Sequence, residues 1–545
     1  MKSPALTPEK LSLPASNQTV RSTVHELMLH HGITKIFGNP GSNELPFLTD
    51  LPKEIDYVLG LHEQVVVGIA DGYAQASGQP AFVNLHAASG TGNAMGALTN
   101  AQYSRTPLII TAGQQVRESI GVHSFLSNID AAQLTKPLTK WSYEPAAASD
   151  VPRSFNEAVI QSQLSAPGPV YLSIPYDDWE HEANDNDVFL FQRSHREENV
   201  ISAQTVEKLA HDMAHAEKLA IVLGSTVDSV DGFSQATALA EKSEADVFIA
   251  PSPYRLPFPN KHPQFCGVLP ASIQAVKNTL AEYDLVVVIG APLFRYHQHA
   301  PDLYLDDNVQ LIQITDDPNE AARAPFGSSI ITNIKLTIDY LTAALPEKNT
   351  AEAASKKVFS PTNSPQNRLF DPARVFALLR EHAPQDSAYV VESTSTNSDF
   401  WAQMDLQNPR SYFWPASGGL GFGLPAAVGA QMAMTDRQVF GIIGDGSANY
   451  GITALWTAAQ YQIPAVFIIL KNGTYGALRW FSDLLNTPDT PGMDVPGIDF
   501  LSIAKGYQVE ARSVSTDQEF IAALTQAVAS SKPFLIEVNT NLTEP

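Results

Sequence analysis

Eleven short apolar runs, rich in β-branched residues, constrain this chain more than any other feature: TKIFG, IDYVLGL, AFVNLH, PLIITAG, PVYLSIP, LAIVLG, DVFIAP, DLVVVIG, QLIQIT, QVFGIIG and AVFIIL. They lack the polar alternation of a sheet with one wet face. Runs that are apolar at successive positions suit strands of a parallel sheet covered by helices on both sides. Helix-like stretches separate the runs along the whole length, so the fold class is α/β with mostly parallel sheets. At 545 residues the chain outgrows one core, because single cores stop growing near ~250–300 residues. Two compositional breaks divide it. Glu180 to Asn199 is polar, and Glu347 to Asn367 is rich in Ala, Ser, Lys, Asn and Pro, so both read as linkers. The expected organisation is a mobile tail over 1–17, then three α/β units over 18–188, 195–345 and 369–545, with a linker over 346–368.

Charge narrows the partners. Lys and Arg number 34 against 57 Asp and Glu, a net charge of -23, whereas a nucleic-acid binder needs a basic footprint. Cys266 is the only cysteine, which excludes an intrachain disulfide and suits a reducing compartment. Its neighbours Phe265 and Val268 suggest a buried apolar thiol. The first residues lack the apolar core of a signal peptide, and no stretch reaches the ~18 apolar residues of a membrane helix. A cytoplasmic protein with no nucleic-acid or membrane partner is expected.

The segment richest in chemistry is IIGDGSANYGITALWTAAQYQIPAVFIILKNGTYGALRW. One strand should end at Gly444 and place Asp445 at its carboxyl end, Gly446 permits close backbone approach, and a second strand delivers Asn472 and Thr474. A carboxylate, an amide oxygen and a backbone carbonyl are hard donors suited to Mg²⁺ or Ca²⁺, with a diphosphate able to complete the shell. An EF-hand is excluded, since counting from Asp445 puts Tyr450 where glycine is required and Trp456 where a bidentate Glu is required. A dinucleotide fingerprint at Ser89-Gly90-Thr91-Gly92-Asn93 also fails, because Met95 occupies the next glycine position. Glu63 precedes an apolar helical stretch, where a carboxylate is costly without a partner or a helix dipole to offset it. His86 and His297 are acid/base candidates, imidazole being the side chain that exchanges protons near neutral pH. Ser42 offers either a donor hydroxyl or a helix cap.

Gly444-Asp445-Gly446 followed by Asn472 resembles the cofactor signature of thiamine-diphosphate enzymes. GNPGSNELPF (38–47), LHEQVVVGIADGYA (61–74), NLHAASGTGNAMGAL (84–98), VYLSIPYDDW (170–179), FRYHQ (294–298), ESTSTN (392–397), GGLGFGLPAA (418–427) and GTYGALRWF (473–481) extend the likeness. Together they resemble the decarboxylase family that cleaves benzoylformate. The resemblance implies a pyrimidine-binding, a central and a diphosphate-binding domain, thiamine diphosphate as cofactor, and Mg²⁺, with Ca²⁺ as an alternative. It implies that Glu63 hydrogen-bonds the cofactor pyrimidine and Leu420 props the cofactor in a bent shape. Gly444, Asp445, Gly446, Ser447, Asn472, Thr474, Tyr475 and Thr394 would complete cofactor binding, with Asp445, Asn472 and Thr474 on the metal. Ser42, His86, His297, Thr394, Ala477, Leu478 and Phe481 would form the substrate pocket for a small 2-oxo acid, with Ser42 positioning its carboxylate and the two histidines moving protons. A homodimer with shared sites, paired into a tetramer, and a role in aromatic (mandelate) catabolism are implied as well. Two departures stand out. Lys471 precedes Asn472 where the broader family often has Asn, and Ala87 follows His86 where pyruvate-type decarboxylases carry a second His. The rivals are a carboligase or a decarboxylase of another 2-oxo acid, a dinucleotide-binding oxidoreductase, and an inactive homologue. The middle unit could also bind a nucleotide or flavin, though nothing in AIVLGSTVDSVD demands it.

Overall fold

A computed structural model gives the structure of the protein and describes residues 18–295, 303–347 and 359–542. The 1–17 tail, His297 and residues 348–358 of the second linker lie outside the described residues.

Each third of the chain builds one six-stranded sheet in which every pairing is parallel. The first comprises β1 (Lys35–Gly38), β2 (Asp56–Leu59), β3 (Ala81–Leu85), β4 (Leu108–Gln114), β5 (Trp141–Tyr143) and β6 (Val170–Pro175), ordered β2-β1-β3-β4-β6-β5. The second comprises β7 (Leu219–Leu223), β8 (Asp246–Ile249), β9 (Phe265–Val268), β10 (Leu285–Ile289), β11 (Gln310–Thr315) and β12 (Ser328–Ile331), ordered β12-β11-β10-β7-β8-β9. The third comprises β13 (Ala388–Glu392), β14 (Tyr412–Phe413), β15 (Val439–Gly444), β16 (Val466–Lys471), β17 (Glu510–Val514) and β18 (Phe534–Asn539), ordered β14-β13-β15-β16-β18-β17. All eleven apolar runs are strands, and central ones such as β3, β7, β10 and β16 are buried almost throughout, as a sheet covered on both faces requires.

The chain forms two compact units. One holds 1–59, 80–95 and 107–196, and with them the first sheet; the other holds 60–79, 96–106 and 197–545, with the second and third sheets. In the second unit the helix Glu63–Ser77 packs on the helix Gly423–Ala433. Their contact depends on missing side chains. A Cβ on Gly72 would lie 2.2 Å from the Ala426 carbonyl oxygen, and one on Gly429 would lie 1.9 Å from that of Ile69.

Two expectations change, and one open question narrows. Part of the first linker is ordered: Asp185–Gln192 coils as a 3₁₀ segment behind an Asn184 cap, and Leu190 and Phe191 pack on the first core. Cys266 is exposed rather than buried, because it lies on the edge strand β9, where the register shifts and Gly267 follows with φ 130. The crevice at the ends of β7 and β10, where a doubly wound sheet binds nucleotides, is closed. Arg105 bonds Asp316 at 2.9 Å and Asp317 at 3.2 Å, pairs also with Glu320, and leaves a void of about 30 Å³, room for water alone. The glycines around Ser89 sit inside the helix Ala87–Tyr103, which removes the dinucleotide loop. Among the described residues no helix is long and apolar enough to cross a membrane.

Candidate active site

Ligands of doubly wound sheets gather outside the carboxyl ends of strands where the winding reverses. In the third sheet that place lies between β13 and β15, whose last residues are Glu392 and Gly444. A cavity of about 810 Å³ opens there, within the ~300–1,000 Å³ typical of ligand sites.

Asp445 follows β15 directly and is 3% exposed. One carboxylate oxygen accepts the Gly446 N–H at 2.8 Å and the other accepts the Gly473 N–H at 2.6 Å. Burial raises its pKa against the pull of those donors. Lys471, the nearby cation, is bonded to Glu537 at 3.0 Å and is no ligand. The Asn472 amide oxygen accepts the Thr474 N–H at 3.0 Å, and the Asn449 amide braces the Asp445 carbonyl at 2.8 Å. Among the described residues no cluster of three or more His, Cys, Asp or Glu could hold a metal, so a cation at this cavity would have to use the mixed oxygen set. The set fits one. A buried carboxylate with spare lone pairs beside amide and carbonyl oxygens is stabilised by a hard divalent ion. Gly446 has no room for a side chain, since a Cβ would lie 2.4 Å from the Tyr475 ring.

The same wall includes Leu420, Ser447, Thr394, Tyr475, Ala477, Leu478 and Phe481, so the residues expected to hold the cofactor, Glu63 apart, share one cavity. Ser447 donates to the Glu392 carbonyl at 2.9 Å and locks β13 to β15. Ala477, Leu478 and Phe481 lie on the helix Gly476–Leu484, with Phe481 meeting Trp480 edge-on at 4.7 Å. Leu420 rides on a glycine loop fixed by Glu392. This carboxylate accepts N–H groups of Gly421 at 2.6 Å, Phe422 at 3.3 Å and Gly423 at 2.6 Å. Burial pushes its pKa up to about 7 although all three donors pull it down. Gln64 donates to the Leu420 carbonyl at 3.2 Å from the far side of the loop. Gly421 there takes φ 100, and a Cβ would meet the Gln64 amide at 2.3 Å.

In the other unit, Ser42 and His86 follow β1 and β3, neighbours at the winding reversal of the first sheet. Gly41 backs onto the His86 ring so closely that a Cβ would sit 2.1 Å from Nδ1. Ser42 is exposed and touches Asn43 at 3.3 Å; the N-cap of Leu45–Leu48 is Glu44, so Ser42 is no cap. Glu63 opens the helix Glu63–Ser77 behind the N-cap His62, is 7% exposed, and is not on the cavity wall. Sequence reasoning assigned no role to Glu392 or Glu44. The available signal was a carboxylate closing the apolar run AYVVE, and another set among Gly41, Ser42 and Asn43.

Family models match along the chain: the thiamine pyrophosphate enzyme N-terminal TPP binding domain over 18–134, the central domain over 206–341, and the C-terminal TPP binding domain over 393–538. The chain belongs to the thiamine pyrophosphate enzyme family. Benzoylformate decarboxylase of Pseudomonas aeruginosa is 52% identical over 529 residues, covering 97% of this chain and all of that protein. The solved thiamine diphosphate-dependent 4-hydroxybenzoylformate decarboxylase of Rhodococcus jostii RHA1 is also 52% identical, with a TM-score of 0.95 over 97% of this chain and all of that one. Benzoylformate decarboxylase from Polynucleobacter necessarius superposes with a TM-score of 0.92 at 33% identity, covering 97% and 99% of the two chains. Similarity falls to 26% for a probable acetolactate synthase large subunit of Methanocaldococcus jannaschii, over 93% of this chain and 89% of that one.

Proposed function

We propose that the protein is a thiamine-diphosphate-dependent carboxy-lyase that converts an aromatic 2-oxo acid, benzoylformate or a close analogue, to the aldehyde and carbon dioxide. The observation that carries this is a single cavity whose wall combines the Asp445, Asn472 and Thr474 donors with the apolar Leu420, Ala477, Leu478 and Phe481. When bound, the cofactor supplies the electron sink that carbon–carbon cleavage needs. Asp445, Asn472 and Thr474 would hold its diphosphate with a divalent cation such as Mg²⁺, Glu63 would hydrogen-bond its pyrimidine ring, and Leu420 would support it from the cavity wall. Ser42 orients the substrate carboxylate, and His86 and His297 move protons to and from the reacting centre.

Glu63 and the cavity wall belong to one compact unit, yet Glu63 does not face that cavity. This supports a homodimer in which each chain lends Glu63 to its partner's cavity, with symmetric pairing into a tetramer. The reading places the enzyme in the cytoplasm, in mandelate breakdown.

The test is aldehyde production by the purified chain with thiamine diphosphate and Mg²⁺. Benzoylformate and 4-hydroxybenzoylformate should exceed pyruvate and branched aliphatic 2-oxo acids in kcat/KM, because an aromatic contact with Phe481 adds about 0.5–1.5 kcal/mol beyond burial. A preference for pyruvate would overturn the aromatic assignment.

A further inference from the structure

Glu44 is 1% exposed, and both its oxygens are fully engaged by donors converging from three segments of the first unit. One oxygen accepts the Gly41 N–H at 2.9 Å and lies 2.8 Å from His86 Nδ1; the other accepts the Gly113 N–H at 2.9 Å and the Ala87 N–H at 3.3 Å. Two glycines clear the space. A Cβ on Gly113 would stand 2.2 Å from the carboxylate, and one on Gly41 would overlap the imidazole. Ala87, next to the histidine, takes φ 44, a left-handed conformation that a residue with a Cβ adopts at a cost. The bond from its N–H to Glu44 holds it there. A buried carboxylate, two side-chain-free approaches and a strained backbone thus all serve the placement of one imidazole.

We propose that Glu44 is a positioning residue for the decarboxylation, fixing the ring plane and tautomer of His86 so that Nε2 is the nitrogen available to substrate. The proposal rests on the reading of His86 as a proton-moving group. An ionised carboxylate only accepts, so its partner Nδ1 carries the ring proton and the neutral ring keeps its lone pair on Nε2. Glu44→Gln tests this, since an amide cannot accept at both ends. With its carbonyl kept by Gly113 and Ala87, its NH₂ faces Nδ1 and reverses the tautomer, placing the proton on Nε2.

The primary readout is ¹⁵N NMR of histidine-labelled full-length chain without cofactor, with the His86 signal among 14 histidines identified by its loss in His86→Ala. The unsubstituted chain should show protonated Nδ1 in its neutral ring, and Glu44→Gln protonated Nε2. Bare Nδ1 in the unsubstituted chain, or an unchanged tautomer in the variant, overturns the proposal; the first measurement stands even if the variant does not fold. The second readout is a double-mutant cycle. Glu44→Gln should lower kcat at least about tenfold with thiamine diphosphate affinity unchanged, within the ~10²–10⁴-fold range of acid–base catalysis. The double variant should be no slower than His86→Ala alone, because Glu44 acts through that ring. Additive losses would show a separate structural role and overturn the proposal. Unchanged turnover in His86→Ala would instead remove His86 from the reaction, a failure of the functional reading that the tautomer measurement keeps distinct from loss of control by Glu44.

Discussion

Glu392 makes the stability of the glycine loop dependent on pH. Its pKa stands near 7 in the folded chain against an ordinary 4.5, and only burial and the three backbone donors act on it. A carboxyl with a raised pKa binds its proton more tightly when folded, so its contribution is full below the ordinary value and declines as pH climbs through 4.5 to 7. Between pH 6 and 8 the proton-binding expressions for the two states give a loss on the order of 1 kcal/mol, roughly a tenfold change in the opening equilibrium. Glu392→Gln removes that titration. It also sets an NH₂ against one of the N–H groups of Gly421 and Gly423, a static cost of about 1–3 kcal/mol. Hydrogen-exchange mass spectrometry of the cofactor-free chain, followed in peptides covering 418–430 and corrected for intrinsic rates, reads both effects. The variant should be less protected at pH 6, and the gap should close by roughly tenfold at pH 8. Parallel pH dependence in the two proteins would refute the burial argument.

Asp445→Ala should abolish retention of thiamine diphosphate on desalting, while Lys471→Asn should retain it, because Lys471 is committed to Glu537; equal retention by Asp445→Ala and the unsubstituted chain would remove Asp445 from the metal site. Gly72→Ala should destabilise the second unit by about 1–3 kcal/mol, as overpacking does, read as a lower urea midpoint, and a midpoint equal to that of the unsubstituted chain would contradict the tight crossing. Mixed dimers of differently tagged Glu63→Gln and Asp445→Ala chains should recover substantial activity if sites are shared, since one site collects both lesions and the other is intact; mixed dimers as inactive as their parents would refute sharing.

The interior of each sheet was legible in the sequence, because strands buried on both faces must be apolar nearly throughout. The edges were not. Of the six edge strands only β2 lies in one of the eleven runs; β9 reads FCGV, β12 SSII and β17 EARSV, and their mixed exposure leaves no continuous signal. The gathering of Asp445, Asn472 and Thr474 at one cavity was legible because a glycine-flanked aspartate at a strand end is a local pattern. Glu44 and Glu392 were opaque as supports, since their meaning lies in partners far along the chain: Glu44 bonds Gly113, and Glu392 bonds a turn about thirty residues later. Such a carboxylate looks like any other until the chain folds. The exposed Cys266 misled for the same reason, since its apolar neighbours concealed an edge strand.

The crossing of Glu63–Ser77 with Gly423–Ala433 also limits how such chains can recombine. By sequence the first helix belongs to the N-terminal family match, yet it folds into the unit that carries the C-terminal one. A chimera cut at residue 134 and completed from a relative would bring Gly68 and Gly72 against a foreign counterpart of Pro425 and Ala426; in the parent a Cβ on Gly68 would lie 2.8 Å from the Pro425 side chain and one on Gly72 would lie 2.2 Å from the Ala426 carbonyl oxygen. One extra methyl on either side would prise the helices apart and shift Gln64, which steadies Leu420. Productive exchanges should therefore inherit 60–79, 96–106 and 418–433 from a single parent, so the heritable block is discontinuous in the gene and continuous in space.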